Sequence, residues 1–295
     1  MISLHDDGAS LAPAPTVSVI IPTRDRLSLL RAAIAAVRSN SPSIAKELII
    51  VDNGSTDPET ISWLQHEART STDLQMLHQP GAFNFSALNN AGAALASGDV
   101  LAFLNNDVQS PTADLFATCS QLSLHPTVGA TGPLLVYASG RIQHAGIVLG
   151  PGGIGANALA GAAIEEMRQS DVFPAITRSV SALTGACLFV ERRKFHDVGG
   201  FEQELAVAFN DIDLCLRLES CGLMNVVLPG ACMVHLESQT RIPDRNYDAE
   251  PRLRAEYDFM RARWGARLDW DPWVSNAIRV DNGRPEPFWG RQPSE

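Results

Sequence analysis

Val17-Ser18-Val19-Ile20-Ile21-Pro22-Thr23-Arg24-Asp25 carries an apolar run into a polar turn, and the same grammar returns at Leu48-Ile49-Ile50-Val51-Asp52-Asn53-Gly54-Ser55. Between them, Leu29, Leu30, Ala33, Ile34 and Val37 fall at helical spacing in a segment that starts at about Leu27. A buried strand, a helix and a second buried strand make a βαβ unit, which dictates a parallel sheet with helices on its faces. Working outward, Thr56-Asp57-Pro58-Glu59 supplies a cap, a first-turn proline and an acid for a second helix. Residues 74–77 and Val100–Leu104 read as further strands, with a helix over 86–96 and another from Pro111 towards Leu124.

After Pro126 the pattern changes. Residues 128–137, 142–149 and 180–190 read as strand-like pieces, interrupted by a glycine-rich segment. Residues 211–221 read as a helix, 224–228 and 232–235 as two short strands, and Pro251–Trp264 as a last helix. The expectation is an α/β fold whose mixed, mostly parallel central sheet is flanked by helices. The organisation expected is a flexible segment over 1–16, one main domain over 17–263, and a tryptophan-rich tail over 264–295.

Thirty-three acidic against 23 basic residues give a net charge of −10, which opposes any large electrostatic footprint on nucleic acid or anionic lipid. A polyanionic ligand then needs a local device such as a cation. The 5 cysteines form no CxxC pair and no zinc spacing, as expected of thiols in a reducing compartment. The first sixteen residues lack an apolar core for a signal peptide, and no stretch reads as a membrane span, so a cytoplasmic location is expected.

Ligands of open parallel sheets bind beyond the carboxyl ends of the strands. Three polar clusters stand there: Pro22-Thr23-Arg24-Asp25 after the first strand, Asp52-Asn53-Gly54-Ser55 after the second, and Asn105-Asn106-Asp107 after the fourth. One such cluster is ordinary turn chemistry; three on neighbouring strands converge on one crevice.

These clusters belong to a longer series. VSVIIPTRD (17–25), LIIVDNGSTD (48–57), FNFSALNNAG (83–92), VLAFLNNDV (100–108), TGACLFVERRKFHDVGGF (184–201), AFNDIDLCLRL (208–218) and HLESQTR (235–241) stand in the order seen in family 2 glycosyltransferases. The chain resembles most the bacterial rhamnosyltransferase-like branch that builds O-antigens, with its GT-A nucleotide-sugar-binding fold. The resemblance implies an inverting, metal-dependent enzyme. It would move a sugar from a nucleotide-diphosphate donor, dTDP-rhamnose or a UDP-sugar, to a hydroxyl of a glycan or lipid-linked acceptor.

Carried over residue by residue, the resemblance places Asp52 and Asn53 at the nucleotide base and Pro22, Thr23, Arg24 and Asp25 in the first nucleotide loop. Asn105 and Asn106 fall at the ribose side, Asn90 near the sugar, and Arg241 near the phosphates. Asp107 and His235 would hold the divalent cation, Mg²⁺ or Mn²⁺, and Asp211 would be the catalytic base. Two positions depart from the family pattern, Asn105 in the metal motif and Asn210 before the base. Physical reasoning supports the assignments. A diphosphate supplies ligands of its own, so one carboxylate with an imidazole and water completes a six-coordinate shell. Asp213 and Arg217, four apart on a helix, can pair, which leaves Asp211 as the acid for the cleft. His144, in GRIQHAG, reads as a satisfied polar residue.

Two rival functions follow from the same residues. The departures at Asn105 and Asn210 keep a non-catalytic sugar-nucleotide or glycan-binding module in view. Gly150-Pro151-Gly152-Gly153-Ile154-Gly155 has GxGxxG spacing, the mark of a dinucleotide-binding oxidoreductase, but strand-rich sequence follows where βα alternation should. The tail, with Trp264, Trp270, Trp273 and Trp289, offers a surface for a further domain or for peripheral contact with the inner membrane face.

Overall fold

The computed structural model describes residues 14–150, 153–169, 175–236, 250–274, 278–281 and 284–287. The first half alternates as expected: β1 (Val17–Thr23), α1 (Leu27–Ser39), β2 (Lys46–Asp52), α2 (Pro58–Thr70), β3 (Leu74–His78), α3 (Phe85–Leu95) and β4 (Val100–Leu104). The second half contains β5 (Val108–Gln109), α4 (Leu115–Ser123), β6 (Val128–Val136), β7 (Ile142–His144), β8 (Ile147–Leu149), β9 (Gly155–Asn157) and α5 (Ile164–Arg168). It continues through β10 (Arg178–Val180), β11 (Cys187–Glu191), α6 (Arg192–Asp197), α7 (Asn210–Ser220), β12 (Met224–His235) and α8 (Pro251–Trp264), with a small hairpin of β13 (Ile278–Asp281) and β14 (Arg284–Pro287) beyond.

The main sheet runs β10-β12-β6-β11-β4-β1-β2-β3, with β5 paired to β12 and β7 to β6. β1 is parallel to β2 and β4, and β2 to β3, while β11 runs antiparallel between β4 and β6. Both faces are covered. Val19 and Ile21 of β1 pack with Leu30 and Phe116 on one side, whereas Ile20 packs with Leu88 and Leu214 on the other. Two buried faces explain why these strands are unbroken apolar runs rather than alternating ones. Asp57 caps α2 by accepting from Thr60 N at 2.9 Å, with Pro58 in its first turn.

Four expectations change in detail. The helix after β5 begins at Leu115, not Pro111, because Thr112 N bonds Cys232 O and ties that stretch to β12. Residues 142–149 divide into β7 and β8, which sit in different sheets. Residues 180–190 likewise divide, with the turn between β10 and β11 carrying Thr184 and Gly185. Conversely, 224–228 and 232–235 join as β12, since the sheet absorbs Pro229 and Gly230 as a register shift between Leu228 and Cys232. Gly155–Asn157 forms an antiparallel hairpin with β8 instead of opening a helix, so the dinucleotide reading of Gly150 to Gly155 lacks its strand–turn–helix.

Candidate active site

The carboxyl ends of β1 and β4 open into a cleft of about 940 Å³ whose far wall comes from β7, β9, β12 and the start of α7. It contains Thr23, Arg24, Asn105, Asn106 and Asp107 from the parallel half, and Asp211 and His235 from the other. The convergence expected of the first and fourth strand ends is therefore present.

Asp107 and His235 are joined by local strand pairing. Val108 lies opposite His235 in the β5–β12 ladder, and Leu236 N donates to Asp107 O at 2.9 Å. Their side chains meet with His235 Nε2 3.0 Å from Asp107 Oδ1, both nearly buried. An imidazole nitrogen and a carboxylate oxygen so placed can hold a hydrogen bond or a metal ion between them. They are hard and borderline donors suited to Mg²⁺ or Mn²⁺. Among the described residues no third histidine, cysteine or carboxylate joins them, so an ion there would take its remaining ligands from amide oxygens, a bound ligand or water.

Asp211 occupies the first turn of α7. Its Oδ2 accepts from Gly185 N at 2.9 Å and its Oδ1 from Ile212 N at 2.8 Å. A carboxylate is favoured there by the unpaired N–H groups of the helix start. A Cβ on Gly185 would sit 3.0 Å from Phe85 Cζ, so the phenyl ring leaves it little room. The loop ahead of Asp211 is clamped from α8: Glu256, 2% exposed, accepts from Val207 N at 3.0 Å and Ala208 N at 2.9 Å. Asp213 pairs with Arg217 at 2.8 Å as anticipated, and also receives Arg263 Nη1 and Trp264 Nε1, each at 3.0 Å. Trp264, the first tryptophan of the tail, thus docks on the main domain.

At the ends of β1 and β4, Asn106 Nδ2 donates to Thr23 Oγ1 at 3.0 Å, linking two of the strand-end clusters. Pro22 and Thr23 line the cleft, and Arg24 reaches it from an exposed position. Asp52 lies deeper, its Oδ1 accepting from Ser55 N at 3.0 Å and its Oδ2 2.8 Å from His78 Nδ1. Asn53 donates through Nδ2 to Gln79 O at 2.9 Å. Asp25 faces away from the cleft and accepts from Thr56 N and Asp57 N, each at 2.8 Å. Those amides, Asp57 foremost, hold its carboxyl below the usual carboxylate range. Asn90 is engaged by Phe201, donating to its O and accepting from its N, both at 2.8 Å. Asp52, Asn53, Asp25 and Asn90 are thus not among the residues lining the cleft, so the second strand end does not join the first and fourth there, and Arg241 lies outside the described residues.

On the opposite wall His144 Nδ1 lies 2.7 Å from Asn157 Oδ1. Burial lowers its pKa to about 4, so the ring is neutral. Sequence reading anticipated a satisfied His144 but passed over its neighbour Gln143, whose Oε1 is 2.7 Å from His235 Nδ1. It also passed over Glu256. No local pattern marks either residue, because each acts across the fold on a segment more than forty residues away.

A mixed sheet flanked by helices, with a cleft beyond the carboxyl ends of β1 and β4, matches the fold of GT-A glycosyltransferases. Residues 18–143 match the model of glycosyl transferase family 2, and the chain carries a domain of that family. It is 38% identical over 88% of its length to uncharacterized protein y4gI of Sinorhizobium fredii, covering 28% of that protein. It is 33% identical over 79% of its length to the O-antigen biosynthesis protein RfbC of Myxococcus xanthus, covering 18%. With the N-acetylglucosaminyl-diphospho-decaprenol L-rhamnosyltransferase of Mycobacterium tuberculosis it shares 27% over 90% of its length and 91% of the relative's. The chain thus spans under a third of the first two relatives and nearly all of the third. In fold it is similar to GalNAc-T7 solved with UDP, GalNAc and Mn²⁺, with a TM-score of 0.66 at 16% identity over 85% of this chain and 48% of that one. A mannosyltransferase of Pyrobaculum calidifontis, solved with GDP-Man and Mn²⁺, gives 0.58 at 19% identity over 86% and 64%.

Proposed function

We propose that this domain transfers a sugar from a nucleotide-diphosphate donor to a hydroxyl of a glycan or lipid-linked acceptor, with inversion and with a divalent ion. The observation that carries the reading is the placement of the Asp107–His235 pair and Asp211 around one cleft. The O-antigen and rhamnosyltransferase relatives favour dTDP-rhamnose or a UDP-sugar as donor and surface polysaccharide synthesis as the setting. Asp52 and Asn53 serve the base end, and Asn105 and Asn106 the ribose. Thr23 and Arg24 serve the diphosphate, where a guanidinium offers forked hydrogen bonds. Asp25 and Asn90 act indirectly, by fixing the first loop and the 200–201 turn.

Asp107 and His235 would hold the ion, Mg²⁺ or Mn²⁺, which when bound supplies positive charge to the leaving diphosphate. Asp211 accepts the proton of the acceptor hydroxyl as that oxygen attacks the anomeric carbon from the side opposite the diphosphate. Gly185 N and Ile212 N fix the orientation of that carboxylate at the cleft. Among the described residues no helix is long and apolar enough to cross a membrane. A lipid-linked acceptor would then be met at the inner membrane face.

Calorimetric titration of UDP- and dTDP-sugars with Mn²⁺ tests the ion's seat. Asp107→Ala should weaken donor binding on the order of 10-fold or more in Mn²⁺ and hardly at all in EDTA, as expected when a ligand to the ion is lost. Equal affinities of the two proteins in Mn²⁺ would refute the assignment.

A further inference from the structure

β7 departs from regular pairing at one residue. The register advances from Leu135 to Val136 on β6 while it passes from His144 to Ile142 on β7, so Gln143 is the extra residue of a bulge. Bulges of this kind re-aim a side chain, often beside an active site. The flanks are pinned, Ile142 by backbone bonds to Ala162 O at 2.9 Å and from Gly161 N at 2.7 Å, and His144 by Asn157.

Gln143 is 5% exposed, with Oε1 2.7 Å from His235 Nδ1. An amide oxygen only accepts, so with an ion on Nε2 the imidazole proton belongs on Nδ1. Nε2 is the atom 3.0 Å from Asp107 Oδ1, and Asn105 Nδ2 approaches it at 3.3 Å as a donor. Without an ion Asp107 Oδ1 can accept from Nε2–H; an ion seated there takes that proton's place, and Gln143 Oε1 then keeps the ring's other proton on Nδ1.

We propose that Gln143 is a positioning residue for the metal site: by accepting the Nδ1 proton it fixes the tautomer and ring angle in which His235 offers Nε2 to the ion beside Asp107. This rests on the divalent-ion reading above. Outer contacts of this kind to a ligating histidine are worth 10–100-fold in metal affinity.

Two measurements test it. With Mg²⁺ and nucleotide bound, nitrogen-15 NMR of the histidine rings should show His235 protonated at Nδ1 alone in the wild type, and this state should be lost in Gln143→Met, which keeps the length of the side chain without its acceptor. Free Mn²⁺ followed by electron paramagnetic resonance, with UDP, dTDP or GDP present, should then give at least 10-fold weaker binding in Gln143→Met. Gln143→Glu, which keeps an acceptor at the same reach, should bind within a few-fold of the wild type or more tightly. A wild-type ring protonated at Nε2, or Mn²⁺ binding undiminished in Gln143→Met, would overturn the positioning role alone. Failure of the wild type to bind Mn²⁺ with any of the three nucleotides would overturn the metal reading and this inference with it.

Discussion

Asp211 is the residue on which turnover should depend most sharply. Asp211→Asn keeps the shape and can still accept from Gly185 N, but it cannot take a proton. Turnover should fall on the order of 10²-fold or more with donor affinity nearly unchanged, read from release of nucleoside diphosphate beside a binding titration. Full turnover would remove Asp211 from the role of base. His144 makes a different prediction. Its pKa is lowered to about 4 in the fold from 6.5, so the unfolded chain binds the extra proton first. The neutral ring therefore contributes stability above about pH 6.5 that is lost as pH falls towards 4, on the order of 3 kcal/mol in total. In urea unfolding at pH 7, 5.5 and 4, the wild type should lose its advantage over His144→Gln by that amount. A constant difference between the two proteins would contradict the burial argument. Asp107, Asp211 and His235 were legible because each stands in a local block at a strand or helix end. Gln143 was not, since its role depends on a bulge that only strand pairing creates.

Elements transmit order to the site. α3 lies so close to β1 and β2 that a Cβ on Gly92 would fall 2.5 Å from Ile20 Cγ2 and 3.1 Å from Val51 Cγ2. Gly92→Ala should therefore destabilise the fold by about 1–2 kcal/mol, overpacking outweighing the ~1 kcal/mol that alanine contributes to a helix. A raised melting temperature would show that the sheet yields. α8 is held to α7 through Asp213, which is fully buried and bonded to Arg217, Arg263 and Trp264. Asp213→Ala leaves two guanidinium groups without their shared carboxylate and should cost about 3–5 kcal/mol in chemical denaturation. A loss below about 1 kcal/mol would mean that α8 is held by other contacts. The bounds of α8 were legible from Pro251 and the following helix formers, but its function was not. Its buried residues are Glu256 and Met260, and a buried carboxylate is invisible to a search for apolar periodicity. For the same reason β12 was read as two strands, because Pro229 and Gly230 are breakers by themselves and only the neighbouring β6 carries the ladder past them.

The whole molecule sets a problem of charge. On the proposed function, a chain of net charge −10 would need local positive charge to bind a nucleotide diphosphate, and the cleft's described cations stand at its exposed edge, Arg24 and Arg26. A divalent ion held by Asp107 and His235 would resolve that conflict. The two-layered core explains why the architecture was readable from apolar runs alone, whereas the far wall of the cleft depended on the mixed half, where sequence breaks and structural breaks do not coincide. The most direct test of the account is a thermal-shift screen of the chain against UDP-, dTDP- and GDP-sugars, each with Mn²⁺, Mg²⁺ or EDTA. Ligands that bind only the native state raise its apparent stability in proportion to the logarithm of their saturation. The account predicts a shift with one nucleotide class that appears with the ion and disappears in EDTA; a shift of equal size in EDTA would contradict it.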